Sequence, residues 1–286
     1  MKEKEMLLSI IIPTVDRGAE FERFMRSLQP QTQETMTEVE LIVVDQNQDD
    51  RIEKTLTSFL VNISVTHKRA PKNGVSSAKN IGMRLAQGRF CCFLDDDCWL
   101  SENWIAEVLE VIRNLAPRTG ILIKAISPDG VTLLPHAVPE KFRLSKKNIK
   151  ESFNTPQISH IYPRSESLSV GGFNEQLGTG IFLGSTEETD FLVRMVNAGV
   201  IFKYISKILI FHDRVDYSSM SLEKSYKYGL GFGAFCRIHE WHLFWLYKVF
   251  RSLVGFVIYL PRNRAVAQSY LATFKGRIRG YYSRQA

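Results

Sequence analysis

Over the first hundred residues, short apolar runs alternate with segments whose apolar positions recur at helical spacing. Runs rich in β-branched side chains fall at 7–12 (LLSIII), 40–44 (ELIVV), 63–67 (ISVTH) and 90–94 (FCCFL), each about the length of a buried strand. Between them Phe21, Phe24, Met25 and Leu28 follow i, i+3, i+4, i+7 spacing, and Ala78, Ile81, Gly82 and Leu85 repeat the pattern before Gly88. Strand and helix in alternation predict a parallel α/β sheet. Ligands of such sheets collect beyond the carboxyl ends of the strands. That rule gives weight to the polar clusters that follow three of these runs: Thr14-Val15-Asp16-Arg17, then Asp45 through Asp50, then Asp95-Asp96-Asp97.

A helix over 102–114 and a strand over 121–125 continue the pattern, which then loosens. Residues 127–165 hold Pro128, Pro135, Pro139, Pro156 and Pro163 and read as an insertion over one face of the sheet, where an acceptor could lie. Order returns at GGFNEQLG (171–178). Ser185 opens a helix whose Phe191, Leu192, Met195 and Val196 form an apolar stripe ending before Gly199, and a strand over 207–211 leads to His212.

The stretch from Leu243 to Leu260 is almost wholly apolar, but Lys248 and Arg251 interrupt it. A spanning helix needs about 20 predominantly apolar residues, so the segment is too short and too charged to cross a bilayer. On a helix, Lys248, Arg251, Gly255 and Arg262 share one side and leave a broad apolar and aromatic face opposite. Such a helix lies in a membrane interface, or it packs on the rest of the chain with a solvated basic face.

Charge sharpens the contrast between this tail and the remainder. Lysine and arginine total 37 against 30 acids, a net +7, yet residues 241–286 contain Lys248, Arg251, Arg262, Arg264, Lys275, Arg277, Arg279 and Arg284 and no Asp or Glu. The first 240 residues are therefore close to neutral. A composition with 44% apolar and 23% charged residues excludes disordered and collagen-like chains. Cys91, Cys92, Cys98 and Cys236 form no CxxC pair, which suits buried reduced thiols rather than a disulfide framework or a zinc site. The start, MKEKEMLLSIIIPT, carries acids and reaches Pro13 without a small-residue cleavage site, so it does not read as a signal peptide and the chain is expected in the cytoplasm.

Two acidic groups carry candidate chemistry. Asp95-Asp96-Asp97 follows an apolar strand, where adjacent carboxylates repel unless a cation joins them, and oxygen ligands favour Mg²⁺ or Mn²⁺. Glu187, Glu188 and Asp190 open a predicted helix. They serve as first-turn acids that complement its dipole, Ser185 and Glu188 having capping-box spacing, or one of them is a general base. His212 is either a surface histidine or a further metal ligand.

Taken in order, LLSIIIPTVDR, ELIVVDQNQDD, NGVSSAKNIGMRLAQGRFCCFLDDDCWL and GGFNEQLG with STEETDFLVRMVNAG, followed by His212, resemble the motifs of the family 2 glycosyltransferases with the GT-A fold. The resemblance covers about residues 5–240. It implies an α/β fold, with a Rossmann-like, mostly parallel sheet flanked by helices, and a catalytic domain over 1–215 with a donor half (1–97) and an acceptor half (98–215). The tail's own apolar and basic pattern adds a C-terminal amphipathic helical segment, expected as a membrane-associating region over 216–286. Donor binding falls on Thr14, Asp16, Asp45, Lys79, Asn80, Asp95 and Asp96. Lys79-Asn80 stands where Arg-Asn is usual, and Asp16 replaces a frequent Asn; lysine meets a phosphate as a point charge, without arginine's planar fork. The DxD metal motif maps to Asp95 and Asp97, with His212 as a possible third ligand. The ED motif, whose second acid is the catalytic base, falls on Glu187 and Glu188, with Asp190 close by.

The resulting expectation is a metal-dependent inverting glycosyltransferase, peripheral on the inner face of the cell membrane. It would move a sugar from a nucleoside diphosphate donor, a UDP-sugar first, to a hydroxyl of a growing lipid-linked surface glycan, with Mn²⁺ or Mg²⁺ and no nucleic acid. The rivals are a sugar nucleotidyltransferase and an inactive GT-A binding protein. The first would show a Gly-rich basic loop after the first strand, where PTVDRG stands.

Overall fold

The computed structural model describes residues 5–32, 36–133, 138–155, 158, 160–214 and 220–284. Two compact units emerge: Met1–Lys72, Ala78–Gly172 and Phe191–Arg214 form the first, and Asn73–Ser77, Phe173–Asp190 and Val215–Ala286 the second. The division at 215 expected from the sequence falls outside the described residues.

The first unit is a sheet with helices. Its strands are β1 (Leu8–Thr14), β2 (Val39–Asp45), β3 (Ser64–Arg69), β4 (Phe90–Phe93), β5 (Trp99–Leu100), β6 (Thr119–Ile126), β7 (Arg143–Leu144), β8 (His160–Pro163) and β9 (Ile201–Phe211). They run in the order β3-β2-β1-β4-β8-β6-β9-β5, with β7 on β9. Every residue of β1 and β2 is buried, as expected of parallel strands covered on both faces. Helix α1 (Ala19–Leu28) buries Phe21, Phe24, Met25 and Leu28, the four residues whose spacing marked it. α2 (Arg51–Ser58) buries Ile52, α3 (Val75–Leu85) follows β3, and α4 (Trp104–Arg113) buries Trp104, Ile105, Val108, Leu109 and Ile112.

The parallel arrangement holds for β3, β2, β1 and β4; beyond them the sheet is mixed. The proline-rich stretch is not wholly an insertion outside the sheet, because its His160–Pro163 enters the sheet as β8, antiparallel to both β4 and β6. Pro163 sits opposite Phe90 at the end of the strand, where a missing N–H is tolerated. Tyr162 anchors β8 in an aromatic core, its ring 4.7 Å from Phe191, 5.4 Å from Phe202 and 5.9 Å from Phe93. Pro135 and Pro156 lie outside the described residues. α5 (Arg164–Ser169) follows β8, and in α6 (Glu187–Asn197) Phe191, Leu192, Met195 and Val196 are all buried.

In the second unit, Leu177 and Leu183 pack with Leu230 and Ala234 of α7 (Leu222–Ile238). The helices α8 (His242–Tyr259) and α9 (Arg264–Tyr281) complete it. α7 and α9 touch through glycine: a Cβ on Gly229 would stand 2.5 Å from the Thr273 carbonyl oxygen, and one on Gly280 would run into the carbonyl of Leu230. Trp245 of α8 stacks on Tyr281 with centroids 4.0 Å apart and donates Nε1–H to the Arg277 carbonyl (3.0 Å).

Candidate active site

Strand direction gathers the polar clusters of the first unit. β1, β2 and β4 are parallel, so Thr14 lies opposite Asp45 and the Asp95–Asp97 triplet leaves β4 beside them. β8 reverses direction and β6 reverses it again, which restores the sense of β4; β9 is parallel to β6. His212 therefore emerges at the same edge as the triplet. The short β5 then runs back along β9 with Trp99 opposite Phe211, their rings stacked at 5.7 Å. That return brings Asp97 beside His212.

Within this cluster Thr14 Oγ1 donates to Asp96 Oδ2 (2.8 Å), and Arg17 pairs with Asp97 Oδ2 (3.1 Å) and reaches Asp96 Oδ1 at 4.0 Å. His212 Nε2 stands 3.2 Å from the buried Asp97 Oδ1 without the alignment of a hydrogen bond, so that oxygen keeps a lone pair for another partner. Arg23 lies 4.0 Å over the Trp99 ring and donates to the Asp97 carbonyl (2.9 Å) and to Asp213 (2.9 Å), fixing the turn from outside. Asp95 accepts the Cys98 N–H at its carbonyl (3.2 Å).

Electrostatics separates the three aspartates. Burial lifts the Asp96 carboxyl to about 7, against the Thr14 hydrogen bond and the Arg17 charge, with Asp95 and Asp97 adding to the rise. Burial also pushes Asp97 upward, but His212 and Arg17 more than offset it and hold the carboxyl below its usual range. His212 is shifted the other way: burial opposes its charge, yet Asp97 raises it above the ordinary imidazole value. The Cys98 thiol, pushed far up by burial and the nearby aspartates, stays neutral.

The residues suit a hard divalent ion. Asp97 and His212 offer adjacent oxygen and nitrogen donors, one of them a buried oxygen short of a hydrogen bond. Among the described residues no three His, Cys, Asp or Glu side chains close around one point. Mg²⁺ is commonly held in that fashion, by one or two protein carboxylates with the remaining ligands from water and substrate phosphates.

Asp45 is fully buried and its oxygens are already engaged. Oδ1 accepts Asn47 N–H (2.9 Å) and Asn47 Nδ2 (2.8 Å), and Oδ2 lies 2.9 Å from His67 Nε2. Asn47 Oδ1 in turn accepts the Asp16 N–H (2.7 Å). Asp16 adopts φ +59° with its carboxylate exposed and paired to Lys72, a left-handed conformation that aspartate tolerates better than most residues. Lys79 and Asn80, in α3, are 1% and 4% exposed. An ammonium so deeply buried needs paired surroundings. Gly172 (φ +73°) packs against Asn80, and a Cβ there would fall 2.5 Å from Asn80 Oδ1, which accounts for a glycine in GGFNEQLG.

Glu187, Glu188 and Asp190 form the first turn of α6 and belong to the second unit. Asp190 is 1% exposed and lies 2.9 Å from Nε2 of His239, which ends α7. Glu187 is 7% exposed, whereas Glu188 is only half-buried. Thr186, immediately before them, has φ +72°. A β-branched residue in that region is strained, and such strain clusters at functional sites. Ser185 donates its hydroxyl to the Tyr228 carbonyl (3.1 Å).

Sequence reasoning missed three contributors. Arg17 stood in a polar cluster without an assigned partner. His67 lies on the half-exposed strand β3 opposite Val43, and only the folded structure shows its ring reaching diagonally to Asp45. His239 follows a glycine-rich helix with no motif around it.

The family profile described as Glycosyl transferase family 2 matches residues 9–164, more than half of the 286 residues. A Haemophilus influenzae protein described as an uncharacterized glycosyltransferase is 34% identical over 196 residues, 66% of this chain and 62% of its own length. The poly(ribitol-phosphate) beta-N-acetylglucosaminyltransferase TarP of Staphylococcus aureus is 27% identical over 147 residues, 50% of this chain and 43% of that protein. The matches thus span less than two thirds of these relatives. Among solved structures, S. aureus TarS in complex with UDP-GlcNAc gives a TM-score of 0.58 at 15% identity, over 98% of this chain and 93% of that one. A mannosyltransferase from Pyrobaculum calidifontis in complex with GDP-Man and Mn²⁺ gives 0.66 at 11% identity, over 98% and 88%. At these identities the structures establish the fold, which is GT-A, and the sequence profile establishes the lineage: the chain belongs to glycosyl transferase family 2.

Proposed function

We propose that the protein is an inverting glycosyltransferase that moves a sugar from a nucleoside diphosphate sugar, a UDP-sugar first, to a hydroxyl of a growing lipid-linked surface glycan. The observation that carries this reading is the convergence of Thr14, Arg17, Asp96, Asp97 and His212 at the carboxyl edge of the sheet, the place where α/β sheets bind nucleotides. Relatives of this fold solved with UDP-GlcNAc and with GDP-Man and Mn²⁺ support a nucleotide-sugar donor.

Asp97 with His212, and Asp95 from the same turn, would hold a divalent ion, which when bound supplies positive charge against the leaving diphosphate. Asp45, with His67 and Asn47 locking its carboxylate, presents a rigid polar wall to the nucleoside, and Asp16 lies one hydrogen bond away. Lys79 and Asn80 complete the donor-binding set.

Glu188 acts as general base. It removes the proton from the acceptor hydroxyl as that oxygen attacks the anomeric carbon; the bond to the diphosphate breaks and the configuration inverts in one displacement. Accessibility favours Glu188 over its neighbours. Asp190 and Glu187 are buried, and Glu188 is half-buried, the most accessible of the three.

The test incubates the full chain and Mn²⁺ with labelled UDP- and GDP-sugars and membranes of the source cells, followed by lipid extraction. Label from one donor should enter the lipid fraction. Glu188→Gln should still bind the nucleotide while turnover falls by about 10² or more, as for loss of a general base. No transfer from any donor contradicts the reaction, and full activity in Glu188→Gln contradicts the assigned base.

A further inference from the structure

Helix α8 is inverted in the way it distributes size. Its inward side is made of small residues: Val249, Ser252 and Gly255 are buried, and a Cβ on Gly255 would stand 2.5 Å from the Tyr270 ring. Its bulky apolar residues point outward, with Leu243 84%, Leu246 56%, Tyr247 56%, Phe250 64%, Val257 61% and Ile258 45% exposed. At about 100° per residue these six fall within an arc of about 120°, the width of a stripe that normally faces a core. No described helix is long and apolar enough to cross a membrane.

The charge around this face selects the occupant. The expected basic stripe is divided: Lys248 is half-buried, its ammonium lying 5.1 Å over the Phe244 ring and made less basic by burial and by Arg251 and Arg277. Arg277 turns inward, its guanidinium donating to Ser252 Oγ and the Lys248 carbonyl. Arg251, at the edge of the apolar arc, and Arg262 and Arg264, just beyond the helix end, stay exposed. With no acid anywhere in residues 241–286, a second copy docked face to face would set like charges against one another, since a two-fold interface pairs each patch with itself. A bilayer with anionic headgroups takes up both features, apolar side chains entering at the acyl boundary and arginines meeting lipid phosphates.

We propose that the outward face of α8 seats the protein on an anionic lipid surface, with the helix axis parallel to the bilayer. The inference stands on the helix itself and does not depend on the transfer reaction.

The full chain is floated with vesicles of phosphatidylcholine alone and of equal parts phosphatidylcholine and phosphatidylglycerol, at low and physiological salt. Leu246→Glu and Phe250→Glu are run beside it. Both replaced side chains face outward, so thermal melting should show the variants folded. The proposal expects flotation with the anionic vesicles, weaker with phosphatidylcholine alone, and a fraction that resists salt, with at least a ten-fold loss in each variant. It is overturned if the full chain stays at the bottom at low salt or if both variants float as well as the parent. A dimer in light scattering that Phe250→Glu converts to monomer, with flotation unchanged, also overturns it and assigns the face to a second copy. Flotation without sugar transfer would leave this proposal standing and remove the preceding one; transfer without flotation would do the reverse.

Discussion

At the scale of single residues, the triplet and His212 tie stability to pH. Asp96 titrates near 7 in the folded chain, well above an ordinary aspartate, so between those values the folded state keeps a proton that the unfolded state has released. Its stabilising contribution is complete below the ordinary carboxylate range and is lost as pH rises through about 7. His212, raised by Asp97, has the same sign: its contribution is lost as pH climbs through the raised value. Asp97, held low, matters only in acid. Melting temperature in chelator should therefore carry a downward contribution as pH rises from about 4 to about 7, and Asp96→Asn should remove that contribution from the slope. An unchanged slope in that variant would show that Asp96 is not the group responsible. These couplings were only partly legible in the sequence. The triplet announces itself after an apolar strand, but that its middle member holds its proton most tightly depends on how deeply the fold buries it, against the hydrogen bond that Thr14 donates from 82 positions away.

At the scale of elements, legibility follows the strength of the local pattern. β1, β2 and β4 are mostly apolar runs and stand where expected, as do α1, α4 and α6, whose apolar spacing matches their buried faces. β8 was not legible, because four residues that include a proline and a histidine give no period; long-range pairing to β4 and β6 creates it. β9 is longer than its apolar end suggests, since its first half carries Lys203 and Ser206. The contact of α7 with α9 was equally hidden, for glycine carries no hydropathy signal although it permits carbonyls to meet a neighbouring backbone. Gly280→Ala places a methyl group against the Leu230 carbonyl and should cost about 1–3 kcal/mol, the usual penalty of overpacking. A denaturation midpoint equal to that of the parent chain would contradict so close an approach.

Over the whole molecule, the order of the motifs carried more information than any one of them. Acidic clusters and capped helices are common separately, and only their sequence along the chain pointed to the family that the profile match over residues 9–164 establishes. The charge of the chain is equally uneven, a near-neutral majority with a basic, aromatic tail. The proposed function rests on metal-assisted binding of a nucleoside diphosphate at Asp97, which remains to be measured. The most direct measurement is the thermal shift of the full chain with UDP, GDP, TDP and CDP, each with and without Mn²⁺, repeated on Asp97→Asn. A ligand at 100 times its Kd stabilises by about 2.7 kcal/mol, a shift of several degrees. The account predicts that one nucleotide raises the melting temperature only with Mn²⁺ and that Asp97→Asn abolishes the rise while still melting cooperatively. The absence of any nucleotide-dependent shift, or the same Mn²⁺-dependent shift in Asp97→Asn, would contradict it.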